Sequence, residues 1–237
     1  MMRIRRYQLI SLLALIIASG CNPDTSETEV AAEATLSEQI ELVRRGESHS
    51  IRLLETQVSD DDIGQLAELT SLEELILDQG VVTDKGMRSL VSLSSLRHLR
   101  LRKSPISDEG LGHLSRIASL RIINLPHGQF TDEGIRQLNS LPKLEQLRVS
   151  SPSVTDESLA TMVDFLNLKR LHLIDVKLTD KGLGHIKKMK KLESFYVDRV
   201  SFSDEALDAL YDARPDLHVH LNQKHHDRDP NAHKHPE

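Results

Sequence analysis

Residues 72–95 read LEELILDQGVVTDKGMRSLVSLSS, and this pattern recurs every 24 residues along most of the chain. A leucine begins every copy except the first, and an aspartate preceded by serine or threonine lies in the middle of each copy. The leucines are Leu72, Leu96, Leu120, Leu144, Leu168 and Leu192, and the aspartates are Asp60, Asp84, Asp108, Asp132, Asp156, Asp180 and Asp204. Self-similarity at a fixed period of this length predicts a solenoid. The frame holds for seven copies over residues 48–215.

The apolar positions change their spacing within each copy. Leu75 and Leu77 lie two residues apart, which predicts a short strand with alternate side chains buried. Met87, Leu90 and Leu93 lie three apart, which predicts a short helix. Each unit is therefore expected to contain a strand followed by a helix.

The recurring aspartates are interpreted as structural. The preceding serine or threonine can cap the helix, and an acid in the first turn favours the helix dipole. A calcium ion needs six to eight converging oxygens. One aspartate in each copy does not supply that many, so no calcium site is expected along this column.

The unit resembles a leucine-rich repeat, in the ribonuclease-inhibitor-like subtype with convex helices. The resemblance rests on Leu-x-x-Leu-x-Leu, then Ile/Val/Phe-Ser/Thr-Asp-x-Gly-Leu, then Leu-x-x-Leu. It implies an α/β fold, a right-handed leucine-rich-repeat solenoid (a horseshoe arc) with a parallel concave sheet and convex short helices. About seven repeats plus caps are expected. The asparagine ladder of other subtypes is missing, because its position holds Gly80, Ser104, Gly128 and Pro152.

Both ends of the solenoid need a cover over the core. Residues 36–47 are predicted to form an N-terminal capping helix, because Thr35 and Glu38 have the spacing of a capping box and Gly46 suits its end. Residues 216–222 alternate between apolar and polar side chains, which predicts a terminal strand.

The N-terminal segment has the features of an export signal. Arg3, Arg5 and Arg6 precede an apolar run that is too short to span a membrane, so residues 1–20 are predicted to be a signal peptide. The ending Ala18-Ser19-Gly20-Cys21 resembles a bacterial lipobox, although Ala18 stands where leucine is usual. This resemblance implies secretion across the inner membrane and lipid anchoring of Cys21 to the cell envelope, facing the periplasm or at the cell surface. Ordinary cleavage after Gly20 is the alternative, and residues 21–35 are predicted to be a disordered tether.

The strand residues that alternate with the buried leucines are expected to line the concave face. The predicted partner contacts on this face are Arg52, His98, Arg100, Arg102, Arg148, Arg170, His172 and Tyr196. A concave surface with charges of one sign attracts anionic partners, so a protein or another anionic partner is predicted. Such side chains can alternatively serve only solubility. The scarcity of aromatic residues and the net charge of -6 argue against a nucleic-acid partner.

The C-terminal segment 223–237 is rich in histidine and is predicted to be disordered. His225, His226, His233 and His235 could bind a metal ion, so a metal-handling envelope lipoprotein is one alternative function. A passive structural lipoprotein is another. The sequence has no Gly-x-Ser-x-Gly element, phosphate loop or His-Glu-x-x-His motif, so a non-enzymatic protein without a cofactor is expected.

Overall fold

The computed structural model describes residues 33–225, with the side chain of His225 left out. The predicted signal peptide, the lipidation site Cys21 and most of the predicted tether lie outside the described residues. The tail histidines His226, His233 and His235 lie outside them as well.

Strands and short helices alternate throughout the described chain. The elements are α1 (Leu36–Arg44), β1 (Ser50–Val58), α2 (Asp60–Gly64), β2 (Glu74–Gly80), α3 (Asp84–Leu90), β3 (His98–Leu101), α4 (Asp108–Leu114), β4 (Ile122–Leu125), α5 (Asp132–Gln137), a 3-10 turn (Leu138–Ser140), β5 (Gln146–Ser150), α6 (Asp156–Met162), β6 (Arg170–Ile174), α7 (Asp180–Ile186), β7 (Ser194–Asp198), α8 (Asp204–Ala213), β8 (His218–Leu221) and β9 (Lys224–His225).

Strands β1 to β8 form one parallel sheet in sequence order, and the short β9 pairs with β8 in the antiparallel direction. Paired residues of neighbouring parallel strands lie 24 positions apart, as do Ser50 and Glu74, or Glu74 and His98. The end of β1 is the exception, because Gln57 pairs with Gln79 after a shift in register. The sequence period therefore sets the sheet register directly. The predicted α/β solenoid with a parallel sheet is confirmed.

The core lies between the sheet and the helices and is built from the repeated apolar positions. Leu72, Leu75, Leu77, Met87 and Leu90 are all fully buried. Each copy of the repeat adds the same layer, so one continuous core runs through the solenoid. Burial on this scale is the main favourable term in folding.

The recurring aspartates connect consecutive repeats, which goes beyond the predicted role in their own helices. The Asp60 carboxylate accepts hydrogen bonds from the Thr83 N–H at 2.8 Å, the Thr83 hydroxyl at 2.6 Å and the Gly86 N–H at 3.1 Å. Asp108 repeats all three bonds with Thr131 and Gly134. These aspartates thus bond the first turn of the following helix. Because Asp204 is the last of the column, no following repeat meets it.

From Asp84 onwards, a small residue lies two positions after each aspartate. The aspartate of the preceding repeat lies close to it at Gly86, Gly110, Gly134, Ser158 and Gly182. A Cβ atom added at Gly86 would lie 2.6 Å from the Asp60 Oδ1. Ser158 holds the corresponding position further along, and its hydroxyl donates to Asp132. Burial raises the pKa of Asp132, but hydrogen bonds from Ser158 and Thr155 outweigh burial and bring the pKa below its ordinary value.

Helix α1 covers the N-terminal end of the core. It contains the capping box of Thr35 and Glu38, it buries Ile40 and Val43, and its chain turns away near Gly46 with φ 71°. The amide of Gln39 donates to the Arg52 carbonyl at 2.8 Å and accepts from the Arg52 N–H at 2.7 Å. These two bonds satisfy part of the outer edge of β1, which limits edge-to-edge association.

A buried arginine closes the other end of the solenoid, and the sequence pattern did not indicate it. Arg214, only 4% exposed, donates to the carbonyls of Met189 at 2.8 Å and Leu192 at 2.6 Å. It also forms an ion pair with Asp216 at 2.8 Å. Three acceptors thus compensate for the burial of its charge. In the span from 33 to 225, no helix is both long enough and apolar enough to cross a membrane.

Candidate functional site

The predicted contact residues all lie on the exposed side of the sheet, which we call the strand face. The strand face consists of the strand side chains that alternate with the buried leucines, together with the residues that follow each strand. Arg52 lies in β1, His98 and Arg100 lie in β3 with Arg102 directly after it, Arg148 lies in β5, Arg170 and His172 lie in β6, and Tyr196 lies in β7.

Glu74 neutralises the basic residues at the N-terminal end of the strand face. Its carboxylate accepts from Arg52 at 2.6 Å and from the Ser50 hydroxyl at 2.7 Å, and it lies 2.9 Å from the His98 Nδ1. Burial raises the pKa of Glu74, but these hydrogen bonds and the Arg52 charge hold it below its ordinary value. Arg52 and His98 are therefore held by a carboxylate of the same face.

Asp78 forms ion pairs with the next two arginines of the strand face, Arg100 and Arg102. Its carboxylate lies 2.6 Å from the Arg100 guanidinium and 3.6 Å from the Arg102 guanidinium. The sequence predicted a concave face with charges of one sign. The structure shows that Glu74 and Asp78 reach the arginines, so the strand face is more nearly neutral than the sequence indicated.

His172 is paired with Asp198, 2.9 Å from its Nε2. Burial lowers the pKa of His172, the hydrogen bond to Asp198 opposes this, and the nearby Arg148 charge lowers it further. The net direction is below the ordinary histidine pKa, so His172 is neutral at pH 7 and donates its Nε2 proton to Asp198.

Arg148 differs from the other arginines of the strand face. Among the described residues it has no ion pair, and its buried Nε has no hydrogen-bond partner in the protein. Burial and the charges of Arg100 and Arg102 lower the pKa of Arg148, and Asp198 opposes them. A half-buried arginine without a carboxylate in contact is therefore the most unusual charge of the strand face. The more exposed Arg170 also has no ion pair within residues 33–225.

Recesses lie on both sides of Arg148. One, of about 330 Å³, extends towards the chain segments that follow the strands. The other, of about 270 Å³, lies between β4 and β7. The first is lined by Arg100, Arg102, Asn124, Pro126, His127, Arg148, Ser150, Ile174, Asp175 and Arg199. The second is lined by Asn124, Gln146, Leu147, Arg148, Arg170, Leu171, His172 and Tyr196.

The prediction missed the residues that follow the strands. Lys103, His127, Asp175 and Arg199 occupy one column of the 24-residue repeat, and three of them have positive φ angles. The Lys103 N–H donates to the His127 Nδ1 at 3.1 Å, so the neutral ring carries its proton on Nε2. Burial and the charges of Arg102, Lys103 and Arg148 lower the pKa of His127. Extending the predicted face by one column would have found these residues.

Tyr196 belongs to a cluster of rings at the C-terminal end of the strand face. Its ring stacks on His220 with a centroid separation of 4.5 Å, and it lies 5.6 Å from the ring of His172. The Nε2 atoms of His218 and His220 are 2.7 Å apart. This end of the face is therefore richer in rings than its middle, where Arg148 lies.

Comparisons with known proteins agree with this architecture. The Leucine Rich repeat family matches residues 92–115. Internalin C2 from Listeria monocytogenes has a similar structure, with 21% identity, a TM-score of 0.55 and coverage of 73% of this chain and 80% of that one. The fold is a leucine-rich-repeat solenoid. Its strands and helices correspond to the repeat that the sequence pattern predicted.

A second solved structure extends the comparison to plants. It is the leucine-rich-repeat ectodomain of the receptor kinase GASSHO1/SCHENGEN3 from Arabidopsis thaliana, in complex with CASPARIAN STRIP INTEGRITY FACTOR 2. The identity is 16% and the TM-score 0.48, and the match covers 77% of this chain and 25% of that one. No curated protein matches the sequence.

The arrangement on the leucine-rich-repeat solenoid is suited to binding. Solenoids generally use their extended sheet surface for recognition rather than for catalysis. The strand face offers held arginines, a neutral histidine and two recesses. No group of three histidine, cysteine or acidic side chains that could hold a metal ion occurs between residues 33 and 225. The predicted metal ligand His225 lies in β9, and the other three predicted ligands lie outside the described residues.

Proposed function

We propose that this protein is a non-enzymatic, membrane-anchored leucine-rich-repeat module that binds an anionic protein partner through its strand face. The observation that carries the proposal is Arg148, a half-buried cation without a carboxylate in contact, between two recesses. A buried charge is stable only when it is compensated. A partner that supplies the missing negative charge gains this interaction on binding.

The ion pairs on the strand face support this proposal in a second way. Glu74 and Asp78 hold Arg52 and Arg100 in fixed positions before any partner arrives. Fixed side chains lose less conformational freedom on binding, so the face is partly preorganised. The pairs also restrict the surplus charge to the middle of the face, and so determine where an anionic group of the partner would lie.

The membrane anchor is part of the same proposal and rests on the sequence around Cys21. Residues 22–35 separate Cys21 from the start of helix α1, so a lipid on Cys21 would leave a short connection between the membrane and that helix. Stable anchoring needs more than one acyl chain. Radiolabelled palmitate supplied to cells should enter the protein and should be absent from Cys21→Ser, and equal labelling of both would exclude Cys21 as the site.

Charge reversal on the strand face tests partner binding. Arg100→Glu combined with Arg148→Glu should abolish partner capture in cross-linking of envelope fractions followed by mass spectrometry. The control variant, Lys187→Glu with Lys188→Glu, makes the same change in charge at the end of helix α7. The control should capture the same proteins as the wild type. Capture that survives the reversal in the strand face would refute the proposal.

Metal handling by the tail remains the second candidate function. It is favoured by the backbone pairing of His220 with His225, which places the start of the histidine-rich segment beside β8. Replacing His225, His226, His233 and His235 by glutamine in the full chain should weaken zinc binding at least tenfold in a calorimetric titration. Equal zinc affinity of the two chains would remove the tail from consideration.

A further inference from the structure

Several polar atoms without partners lie close together on the strand face. In the described part of the chain, the buried side-chain atoms without a hydrogen-bond partner include Asp78 Oδ1, Arg100 Nε, Asn124 Oδ1 and Arg148 Nε. These residues belong to the neighbouring strands β2 to β5. Buried polar groups are nearly always paired within a folded protein. Two of these atoms, Arg100 Nε and Arg148 Nε, carry N–H donors that an anionic ligand can satisfy, whereas the two oxygens need a donor.

The neighbours of Arg148 in the sheet explain why it lacks a partner. Arg100 reaches a carboxylate 22 residues before it, and Arg52 reaches one 22 residues after it. Both arginines occupy the same position of their own repeats as Arg148 does. The same two positions for Arg148 hold Pro126 and Arg170, and neither is a carboxylate. An arginine at this position of the repeat can therefore have a carboxylate partner, but the repeats around Arg148 do not supply one.

The charges around Arg148 identify the class of ligand. A third recess, of about 260 Å³, is lined by Arg148, Ile174, Asp198, Arg199, Asn222 and Gln223. Four guanidinium groups surround this recess and the 330 Å³ recess, and they belong to Arg100, Arg102, Arg148 and Arg199. Three carboxylates face them, because Asp78 pairs with Arg100 and Arg102, Asp175 pairs with Arg199, and Asp198 lines the third recess. Since His127 and His172 both have lowered pKa values, they add no charge at pH 7. One positive charge is left over, which matches a monoanion better than a phosphate dianion.

We infer that the recess of about 330 Å³ beside Arg148 binds one carboxylate group, supplied by an acidic side chain of the partner protein. The protein source of this group rests on the proposed function, whereas the binding of a carboxylate in the recess does not. A planar guanidinium matches the two oxygens of a carboxylate. His127 lines the same recess and keeps a proton on Nε2, which makes it a second donor. The recess volume of about 330 Å³ accommodates an amino-acid side chain.

Small carboxylates test the inference without any knowledge of the partner. The full chain is titrated with acetate, with N-acetyl-glutamate amide and with inorganic phosphate, and the Nε–H resonance of Arg148 is followed by nuclear magnetic resonance. Acetate and the blocked glutamate should shift this resonance in a saturable way. Phosphate should bind at least tenfold more weakly at pH 8, at which it is mainly a dianion.

Two variants separate the role of Arg148 from general electrostatics. Arg148→Gln should weaken binding of the blocked glutamate at least tenfold, followed through backbone amides of β5. Arg52→Gln removes the same charge from an arginine that has its own carboxylate, and it should leave the affinity within twofold. Arg148→Lys keeps the charge without the planar fork and should weaken binding by severalfold. Equal weakening in Arg148→Gln and Arg52→Gln would overturn the inference, as would tighter binding of phosphate.

The outcomes also distinguish this inference from the proposed function. Binding of acetate at Arg148 together with unchanged partner capture after charge reversal would uphold the carboxylate site and reject the strand face as the partner surface. Partner capture that depends on Arg148 without any binding of small carboxylates would uphold the proposed function and overturn the carboxylate site.

Discussion

Arg148 and Arg100 occupy the same position of the repeat two strands apart, yet their surroundings give them opposite effects on stability. Arg100 is paired with Asp78 at 2.6 Å, whereas Arg148 has no carboxylate in contact. Groups kept for binding are often unfavourable for the free fold, so a neutral residue in their place stabilises the protein.

The two arginines should therefore respond differently to the same substitution. Arg148→Gln is expected to raise the free energy of unfolding by about 1 kcal/mol, because it removes an uncompensated half-buried charge. Arg100→Gln is expected to lower it by about 1–3 kcal/mol, because Asp78 loses its closest partner. Urea unfolding of both variants measures the difference. A loss of stability in Arg148→Gln as large as that in Arg100→Gln would contradict this account.

His172 should make the stability of the fold depend on pH. Its pKa is lowered in the folded protein, chiefly by burial, so the folded state resists protonation. The unfolded chain binds a proton below the ordinary histidine pKa of about 6.5. The unfolded state therefore binds more protons, and stability is lost as the pH falls through 6.5 and below. Urea unfolding between pH 7.5 and 5 should show a shallower decline for His172→Gln, which keeps a donor for Asp198. An unchanged slope would exclude this contribution.

Hydrogen bonds at the N-termini of the helices connect one repeat to the next. Each aspartate from Asp60 to Asp180 bonds the N-cap residue of the following helix, as Asp108 does with Thr131 at 2.7 and 2.8 Å. The same aspartates restrict the residue two positions after the next aspartate to a small one, as at Gly134. A single carboxylate thus explains two columns of the repeat.

The first test at this scale compares two aspartates of the same column. Asp108→Ala should lower the free energy of unfolding by about 3 kcal/mol, because three donors of the next repeat lose a charged acceptor. Asp204→Ala should cost about 0.5 kcal/mol, since it loses only a favourable position at the helix dipole. Equal costs in chemical denaturation would show that the bonds between repeats contribute nothing.

Two glycines of helix α7 provide a second test. Glycine inside a helix normally costs about 1 kcal/mol relative to alanine. Gly184 has no atom within 4 Å of an added Cβ, so Gly184→Ala should raise the free energy of unfolding by about that amount. At Gly182 an added Cβ would lie 2.5 Å from the Asp156 Oδ1 and 2.9 Å from Leu159. Gly182→Ala should therefore destabilise the protein, and a gain in its thermal midpoint would refute the close approach.

The whole described molecule is an array in which each repeat contacts its neighbours, so its ends need separate protection. Helix α1 covers the first repeat, and Gln39 bonds the outer edge of β1. At the other end Arg214 donates to the carbonyls of Met189 and Leu192, where the last two repeats meet. Stability in such an array varies along its length, and the ends open first.

Removal of the Arg214 side chain should therefore destabilise the C-terminal end of the solenoid and not the other end. Arg214→Met should lower the free energy of local opening near β7 and β8 by about 3 kcal/mol, because two carbonyls and Asp216 lose a charged donor. Hydrogen exchange should become faster in β7 and β8 and remain unchanged in β1 to β3. An equal acceleration in all strands would show that the array unfolds as a single unit.

The sequence by itself determined the repeat unit, its register and its buried face. A 24-residue period leaves few alternatives, because each leucine, glycine and capping hydroxyl favours the same local structure in every copy. The capping box of Thr35 and Glu38 could be predicted for the same reason, since it depends on residues only three positions apart. The position of the strand-face side chains on the exposed side of the sheet also followed from the alternation of strand side chains.

Only the tertiary structure decided which charges on that face are compensated. Glu74 reaches Arg52 and His98 across neighbouring strands, and Asp78 reaches Arg100, so these charges cancel between residues 22 or 24 positions apart. The residue types in one column of the repeat do not reveal such cancellation. The cancellation depends on whether a charged side chain on one strand reaches an opposite charge on a neighbouring strand. The inter-repeat bonds of the aspartates and the burial of Arg214 were hidden for the same reason. The local pattern specifies the repeat, whereas distances between repeats determine the electrostatics that leave Arg148 without a carboxylate in contact.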